Sequence, residues 1–441
     1  MAVIRCLPGR ARSWDSVAAM LGRAVLVGLT VCAACGGDDH AKGVVDAAAG
    51  GADGSAMIDA PQSSDGVYAI PLTTPDQSFW GPQVSIGGQM FMMDLDTGST
   101  TIGVASSTCT QCTGVTPLYA PGSGAVDEHM TASTTYADNS GWSGEIYKDA
   151  IDLGHGSPVM QVDFAAMTRQ RQFFYQNQYQ GIFGLGAAAN AEPNTGSYFD
   201  IAAAAGMTGV MAFELCSSGG TMWLGGFDSS KAASAPQYTP LIPISDNQPF
   251  YAIDITGMSI GDTSVGSGAA TFEEPVVDTG TTYFYLPTPV ETAMINAINA
   301  STGFKTLFGA NAKVADDPNG TGVGCVTGTG ITGAMVDASL PPLTMTMPGM
   351  NGGPDITVSV PPLRSYMYDA GGGQFCLGIA DGGTQDATTM GDQIMQAFVT
   401  IIDVQHHQVG WALDAGCGPA PVRPRDRTTF HPHPPKRHRH R

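Results

Sequence analysis

The chain reads as all-β, folded in two similar lobes, and three observations lead there. Short bursts of Val, Ile, Thr, Tyr and Phe lie between clusters rich in Gly, Pro and Asp, which is the pattern of strands and turns. At 441 residues the chain exceeds what a single hydrophobic core fills well. One phrase also occurs twice, about 180 residues apart: an apolar run ending in Asp-Thr-Gly and a hydroxyl residue. The copies are Phe91 to Ser99, carrying Asp96-Thr97-Gly98-Ser99, and Pro275 to Thr281, carrying Asp278-Thr279-Gly280-Thr281.

In chain order, residues 1–35 read as an export signal. Arginines precede the apolar run Ala24 to Val31, which is too short to span a bilayer and ends in small residues. Cys32-Ala33-Ala34-Cys35-Gly36 resembles a bacterial lipoprotein cleavage box, making Cys35 the lipidation candidate; cleavage without lipidation would give a secreted chain. Residues 36–65 are Ala, Gly, Asp and Ser with few large apolar groups, and are expected to be a disordered linker.

The first lobe is expected over 66–247. Val67 to Leu95 alternates as strands, with Gly87-Gly88 as the tip of a hairpin that delivers Asp96. Met130 to Leu153 reads as two strands joined across Ala137 to Gly141. Tyr179 to Gly186 is an apolar strand whose glycines permit close backbone approach. Ser197 to Met207 is a short helix, and Ala212 to Phe227 a hairpin around Gly219-Gly220.

The second lobe is expected over 248–418. Tyr251 to Ile260, Ala270 to Asp278 and Tyr283 to Leu286 read as strands. Thr288-Pro289-Val290 then starts a helix with Val290, Met294, Ile295 and Ile298 on one face. Leu343 to Met347, Ile356 to Val360, Gln374 to Ile379, Ala397 to Val404 and Gln408 to Ala412 are further strands. Residues 419–441 form a disordered tail rich in Pro, Arg and His.

Charge and motif content exclude several classes. The net charge is −20, and only eight Lys and Arg lie between Gly36 and Ala420, so nucleic acid is not an expected partner. No H-e-x-x-H-type helix is present, and His129, His155, His406 and His407 form no ligand motif, so neither a metal nor another cofactor is expected. Six cysteines follow the signal, an even number that suits disulfides in an oxidising compartment. Cys109 and Cys112 lack the ligand pair of a zinc site and the surroundings of a redox motif, so a local bridge is expected.

From Tyr68 to Cys417 the sequence resembles the pepsin-like aspartic proteases. The resemblance rests on both acid turns, on Gly181 to Gly186 with Gln180 before it, on Leu224-Gly225-Gly226-Phe227-Asp228, and on Gly391-Asp392 followed by Val409-Gly410-Trp411-Ala412. Phe213 to Cys216, Phe375 to Ile379 and Cys417 are similar to the nepenthesin-like branch, which implies the pairs Cys216–Cys417 and Cys325–Cys376. The family implies a bilobal double β-barrel with a central cleft and few short helices.

It also implies an endopeptidase in which Asp96 and Asp278 share one proton and activate water at acidic pH. Thr97 and Thr279 would link the turns, Gly98 and Gly280 bring backbone N–H groups to the carboxylates, and Ser99 and Thr281 bond their outer oxygens. Tyr136 would cover the substrate from a hairpin tip that includes Asp138. Gly103 stands where the family has the tryptophan that bonds this tyrosine, and Trp142 is the candidate replacement. The expected partner is a peptide or protein substrate met by a monomer, with membrane contact only through a lipid on Cys35. The rival is a pepsin-fold binding or inhibitor-like protein; such relatives typically damage one Asp-Thr-Gly, and this chain keeps both.

Overall fold

Each acid turn sits at the end of a strand that is clamped from both sides, and the fold supplies that clamp twice. The structure, a computed structural model, describes residues 66–75, 77–174, 178–243, 250–315, 324–383 and 388–416, all within one compact unit, Ile58–Arg441. The export signal with Cys35, the linker, the basic tail and Cys417 lie outside the described residues.

The first half begins with β1 (Tyr68–Thr73), β2 (Gly81–Ile86) and β3 (Gln89–Asp96). Gly87 and Gly88 have positive φ and make the tight turn between β2 and β3. β3 is buried from Phe91 onward because it is covered on both faces. There follow β4 (Gly103–Ala105), β5 (Val126–Thr135), β6 (Gly141–Asp152), β7 (Met160–Arg171) and β8 (Gly181–Gly184). β8 lies parallel to β3 with Gly184 opposite Asp96, antiparallel to β4, and β4 lies parallel to β7. A side chain at Gly181 or Gly184 would strike the backbone of Gly103 or Thr100, which is why this crossing is built from glycine. Gln180, at the family's aspartate position, accepts from Met92 N at 2.9 Å and so fastens β3 from its side chain.

α1 (Tyr198–Ala204) is capped by Ser197, and β9 (Val210–Cys216), β10 (Gly219–Leu224) and β11 (Gln237–Pro240) complete this half. The β9–β10 hairpin pairs Gly219 with Cys216, so its turn is Ser217-Ser218 and the two glycines open the second strand.

In the second half, β12 (Gly257–Ile260), β13 (Thr263–Ser267), β14 (Val276–Val277) and β15 (Phe284–Leu286) precede α2 (Thr288–Ala300) and α3 (Thr302–Phe308). Val290, Met294, Ile295 and Ile298 of α2 are buried as one stripe. Then come β16 (Cys325–Thr327), α4 (Gly333–Ser339), β17 (Leu343–Met347), β18 (Ile356–Val360), β19 (Met367–Gly371), β20 (Gln374–Leu377), β21 (Ile379–Asp381) and β22 (Thr389–Met390). The clamp recurs: β14 lies parallel to β22, β22 antiparallel to β15, and β15 parallel to β21. Two expected strands are shorter than their sequences suggest. Tyr251 to Thr256 enters only isolated bridges, although Tyr251, Ile253 and Ile255 are buried, and Ala269–Thr271 is a 3-10 turn.

After α5 (Asp392–Met395), β23 (Phe398–Asp403) and β24 (Gln408–Leu413) pair with β9 and β11, tying this segment into the first half's sheet. His406 and His407 lie in the turn between them, where Asp403 accepts from His406 N and Gln408 Nε2 and pairs with His406 Nδ1. Mostly short strands, few short helices and a twofold clamp constitute a bilobal pepsin-like fold.

Disulfides join Cys109 to Cys112 and Cys325 to Cys376, the latter across the β16–β20 ladder. The expected Cys216–Cys417 pair involves a residue outside the described ones.

Candidate active site

The two clamps bring Asp96 and Asp278 face to face. Asp96 Oδ1 accepts from Gly98 N at 2.8 Å and Oδ2 from Ser99 Oγ at 2.5 Å. Asp278 repeats this, with Gly280 N at 2.8 Å and Thr281 Oγ1 at 2.6 Å. Each carboxyl is therefore held by its own turn, and each lies against the glycine of the opposite turn. Both aspartates are fully buried.

Glycine is required by the opposite half rather than by its own turn. A Cβ on Gly98 would stand 2.6 Å from the Asp278 carboxyl, and one on Gly280 would collide with Asp96. Between the turns, Thr97 Oγ1 donates to Val277 O at 2.9 Å and accepts from Thr279 N at 3.0 Å. Thr279 Oγ1 donates to Leu95 O and accepts from Thr97 N, both at 3.0 Å. Four buried bonds thus lock the turns in register, and none involves the carboxylates. A further link between the halves runs from Thr282 Oγ1 to Ser78 O at 2.6 Å.

Burial and the facing Asp278 carboxyl raise the Asp96 pKa well above the usual carboxylate range, opposed by the bonds from Ser99 and Gly98. The direction follows from elementary electrostatics: two buried carboxylates in contact do not both ionise cheaply, so the pair retains a proton.

Over the first turn lies the β5–β6 hairpin. Its tip closes through Tyr136 N to Ser140 O and Asn139 N to Tyr136 O, with Asn139 at φ 64. Asp138 Oδ1 accepts from Ser140 N at 2.8 Å, which shapes the turn, and Arg171 Nε donates to Asn139 O at 2.7 Å from the end of β7. Tyr136 is 1% exposed and stacks on Phe173. Its hydroxyl accepts from Trp142 Nε1 at 2.9 Å and lies near Ser99, which in turn bonds Asp96. A Cβ on Gly103 would collide with Met167 Cε at 2.5 Å and lie 3.7 Å from the Trp142 indole. The indole partner of the tyrosine therefore stands on β6. Burial and the nearby Asp96 raise the Tyr136 pKa well above its ordinary value, so it stays a neutral hydroxyl.

Sequence reasoning did not single out Glu192. It lies in the loop after β8, and its charge reaches Tyr136. Ala191-Glu192-Pro193-Asn194 carries no motif; its signal is only its place beyond the strand that clamps β3. Among the described residues one triad, Glu214, Cys216 and Asp414, has the spacing of a metal site, but Cys216 is disulfide-bonded and offers no thiolate. Among the described residues no helix is long and apolar enough to cross a membrane.

A family model described as eukaryotic aspartyl protease matches residues 80–414. An "Aspartic protease" of Phaffia rhodozyma is 27% identical over 76% of this chain and 76% of its own length. Rhizopuspepsin-3 of Rhizopus niveus is 28% identical over 56% of this chain and 64% of its own, and Aspergillopepsin-1 of Aspergillus pseudoglaucus 26% over 81% and 84%. These matches do not bear on the finer nepenthesin-like branch. The chain belongs to the eukaryotic aspartyl protease family and is by class an aspartic endopeptidase, whose substrates are peptides or proteins.

Proposed function

We propose that Asp96 and Asp278 are the catalytic pair and hydrolyse peptide bonds in a mildly to strongly acidic medium. The observation that carries this reading is the close approach of two buried carboxyls, each lying against the glycine of the opposite turn and fixed by one backbone N–H and one hydroxyl of its own turn. With one proton on the pair, the ionised member takes a proton from a water lying between them, and the water oxygen attacks the scissile carbonyl carbon. The protonated member donates to the carbonyl oxygen. The resulting tetrahedral diol collapses, the C–N bond breaks, and the leaving nitrogen is protonated by the pair. No acyl-enzyme forms, because the nucleophile is water.

The supporting residues divide by task. Thr97 and Thr279 set the separation of the turns; Gly98, Gly280, Ser99 and Thr281 orient the carboxyls by charge-assisted bonds. Tyr136, held by Trp142, covers the peptide, and Asp138 shapes the tip that carries it. We also infer export, with a lipid on Cys35 or free secretion, and action as a monomer; the Cys109–Cys112 and Cys325–Cys376 disulfides suit an oxidising compartment.

A statine-type peptide, whose hydroxyl stands for one oxygen of the diol, tests this reading. It is expected to inhibit digestion of denatured protein stoichiometrically and to raise the unfolding temperature. Failure to bind, together with undiminished digestion, would refute the assignment.

A further inference from the structure

The bridge between Cys109 and Cys112 takes no part in the chemistry at the acid pair, yet its surroundings lead to Tyr136. It joins cysteines at a sequence separation of 3, against 51 for Cys325–Cys376. A bridge across so few residues restrains the unfolded chain less than one across a long loop, so its effect falls mainly on local shape. Cys112 is buried with Ala105 and Val115, while Thr110 and Gln111 stand exposed and offer their backbone to the end of β7. Thr110 N donates to Thr168 O at 3.2 Å, and Gln111 O accepts from Gln170 Nε2 at 2.9 Å. The bridged loop thus grips the end of β7.

From this grip two routes run to the hairpin. The polar route passes through Gln170, whose Oε1 accepts from Phe173 N at 2.8 Å while its Nε2 holds Gln111 O. Phe173 O accepts from Tyr179 Oη at 2.6 Å, so both backbone groups of Phe173 are held. Its ring stacks on Tyr136, with centroids 5.7 Å apart and planes inclined by 24°. The apolar route passes through Phe174, which packs against the cluster of Ala105, Cys112 and Val115 and edge-on against Phe173 at 4.9 Å. One residue past Gln170, the Arg171 bond to Asn139 O fastens the hairpin tip to the same end of β7.

We propose that the bridged loop from Cys109 to Cys112 is a positioning element for the hairpin: it sets the end of β7 and, through Gln170, Phe173 and Phe174, the place of the Tyr136 ring. The inference rests on the protease reading above, because Tyr136 matters to turnover only as the cover of a bound peptide. Asp96 and Asp278 take their bonds from their own turns, so loss of the bridge leaves the carboxyls held as before. What changes is how firmly the peptide is covered. The effect therefore belongs to KM more than to kcat.

The test compares two bridge-free forms of the full exported chain, Cys109→Ser with Cys112→Ser and Cys325→Ser with Cys376→Ser. The first is expected to raise KM on a neutral peptide by about twofold to tenfold, the worth of one aromatic pair, with kcat changed by less than about twofold. The second is expected to leave KM unchanged and to lower the unfolding temperature more than the first, since its loop is longer. Gln170→Ala cuts the polar route while the bridge stays; it is expected to raise KM alone and to add less than its full effect to the first form. A readout without substrate is the fluorine NMR spectrum of protein labelled with fluorotryptophan, in which the Trp142 line, one of five, is identified by its absence in Trp142→Phe. That line is expected to shift or broaden in the first form and to stay in place in the second. Because it is read on unbound protein, absence of hydrolysis in every form, the parent included, counts against the catalytic pair alone. An unmoved Trp142 line in the first form, an equal KM rise in both bridge-free forms, or full additivity of Gln170→Ala with bridge loss would overturn the positioning role.

Discussion

The two acid turns are held alike and covered differently. In the first half β3, β8, β4 and β7 make the order parallel, antiparallel, parallel, and in the second half β14, β22, β15 and β21 make it again. Asp96 and Asp278 receive matching bonds, one N–H and one hydroxyl each. Above them the likeness ends. The first half raises the β5–β6 hairpin over its turn, with Tyr136 and Trp142. The second half spends its extra chain on α2, packed as core, and on the β16–β20 ladder with its disulfide. Chemistry that splits one proton between two groups needs symmetry in the plane of the carboxyls. Recognition of a directional peptide needs asymmetry above that plane.

The comparison can be broken most sharply at the carboxyls. Asp96→Asn and Asp278→Asn are each expected to lower kcat/KM by at least about 10²–10⁴-fold, the range of general acid–base catalysis, with circular dichroism unchanged. A large difference between the two losses would show that the halves are not equivalent in the reaction.

Next come the turns. Thr97→Ala and Thr279→Ala each remove two buried bonds and leave backbone groups of the other half unpaired, at about 1–3 kcal/mol per orphaned group. Denaturant unfolding should show similar losses for both, since the two threonines exchange the same bonds.

The hairpin should behave as a one-sided feature. Trp142→Phe keeps a ring but removes the N–H that Tyr136 accepts, a net bond of about 0.5–1.5 kcal/mol. A fall in kcat/KM of about twofold to tenfold is expected, with little change in unfolding midpoint. A thermal loss as large as that of Thr97→Ala would instead show that Trp142 acts through core packing rather than through its bond to Tyr136.

A smaller and slower effect concerns pH. Asp96, with its pKa raised by burial and by Asp278, favours the fold while protonated; Asp138 is raised by burial in the same direction. For a carboxyl whose folded pKa lies above the unfolded one, the stabilisation is complete below the unfolded value. It is lost as pH rises through the folded value. The unfolding temperature is therefore expected to decline from acid toward neutral pH, and Asp96→Asn to flatten the slope. Calorimetry between about pH 3 and 7 reads this directly.

Legibility followed the range of the interactions. The bounds of β17 and β18 and the buried stripe of α2 were readable because local alternation and the 3.6-residue period determine them. The acid turns were readable because the phrase is short and repeated. The clamps were not, since β14 and β22 have two residues each and exist only as partners across more than a hundred positions. β7 alternates only from Met160 to Phe164; from Phe164 to Met167 every residue is buried, so its period is lost half-way along. Tyr251 to Thr256 misled in the other direction: its apolar residues go to the core, with Tyr251 Oη bonded to Leu185 O, without a ladder beside them. Glu192 was invisible because its significance depends on Tyr136, distant in sequence.

The central claim is that Asp96 and Asp278 act as one acid sharing one proton, and the pH profile of kcat/KM on a neutral peptide addresses it most directly. A bell lying between roughly pH 2 and 6, absent in both Asn variants, is the predicted result. Activity that rises toward neutral pH, or that persists in either variant, would contradict it.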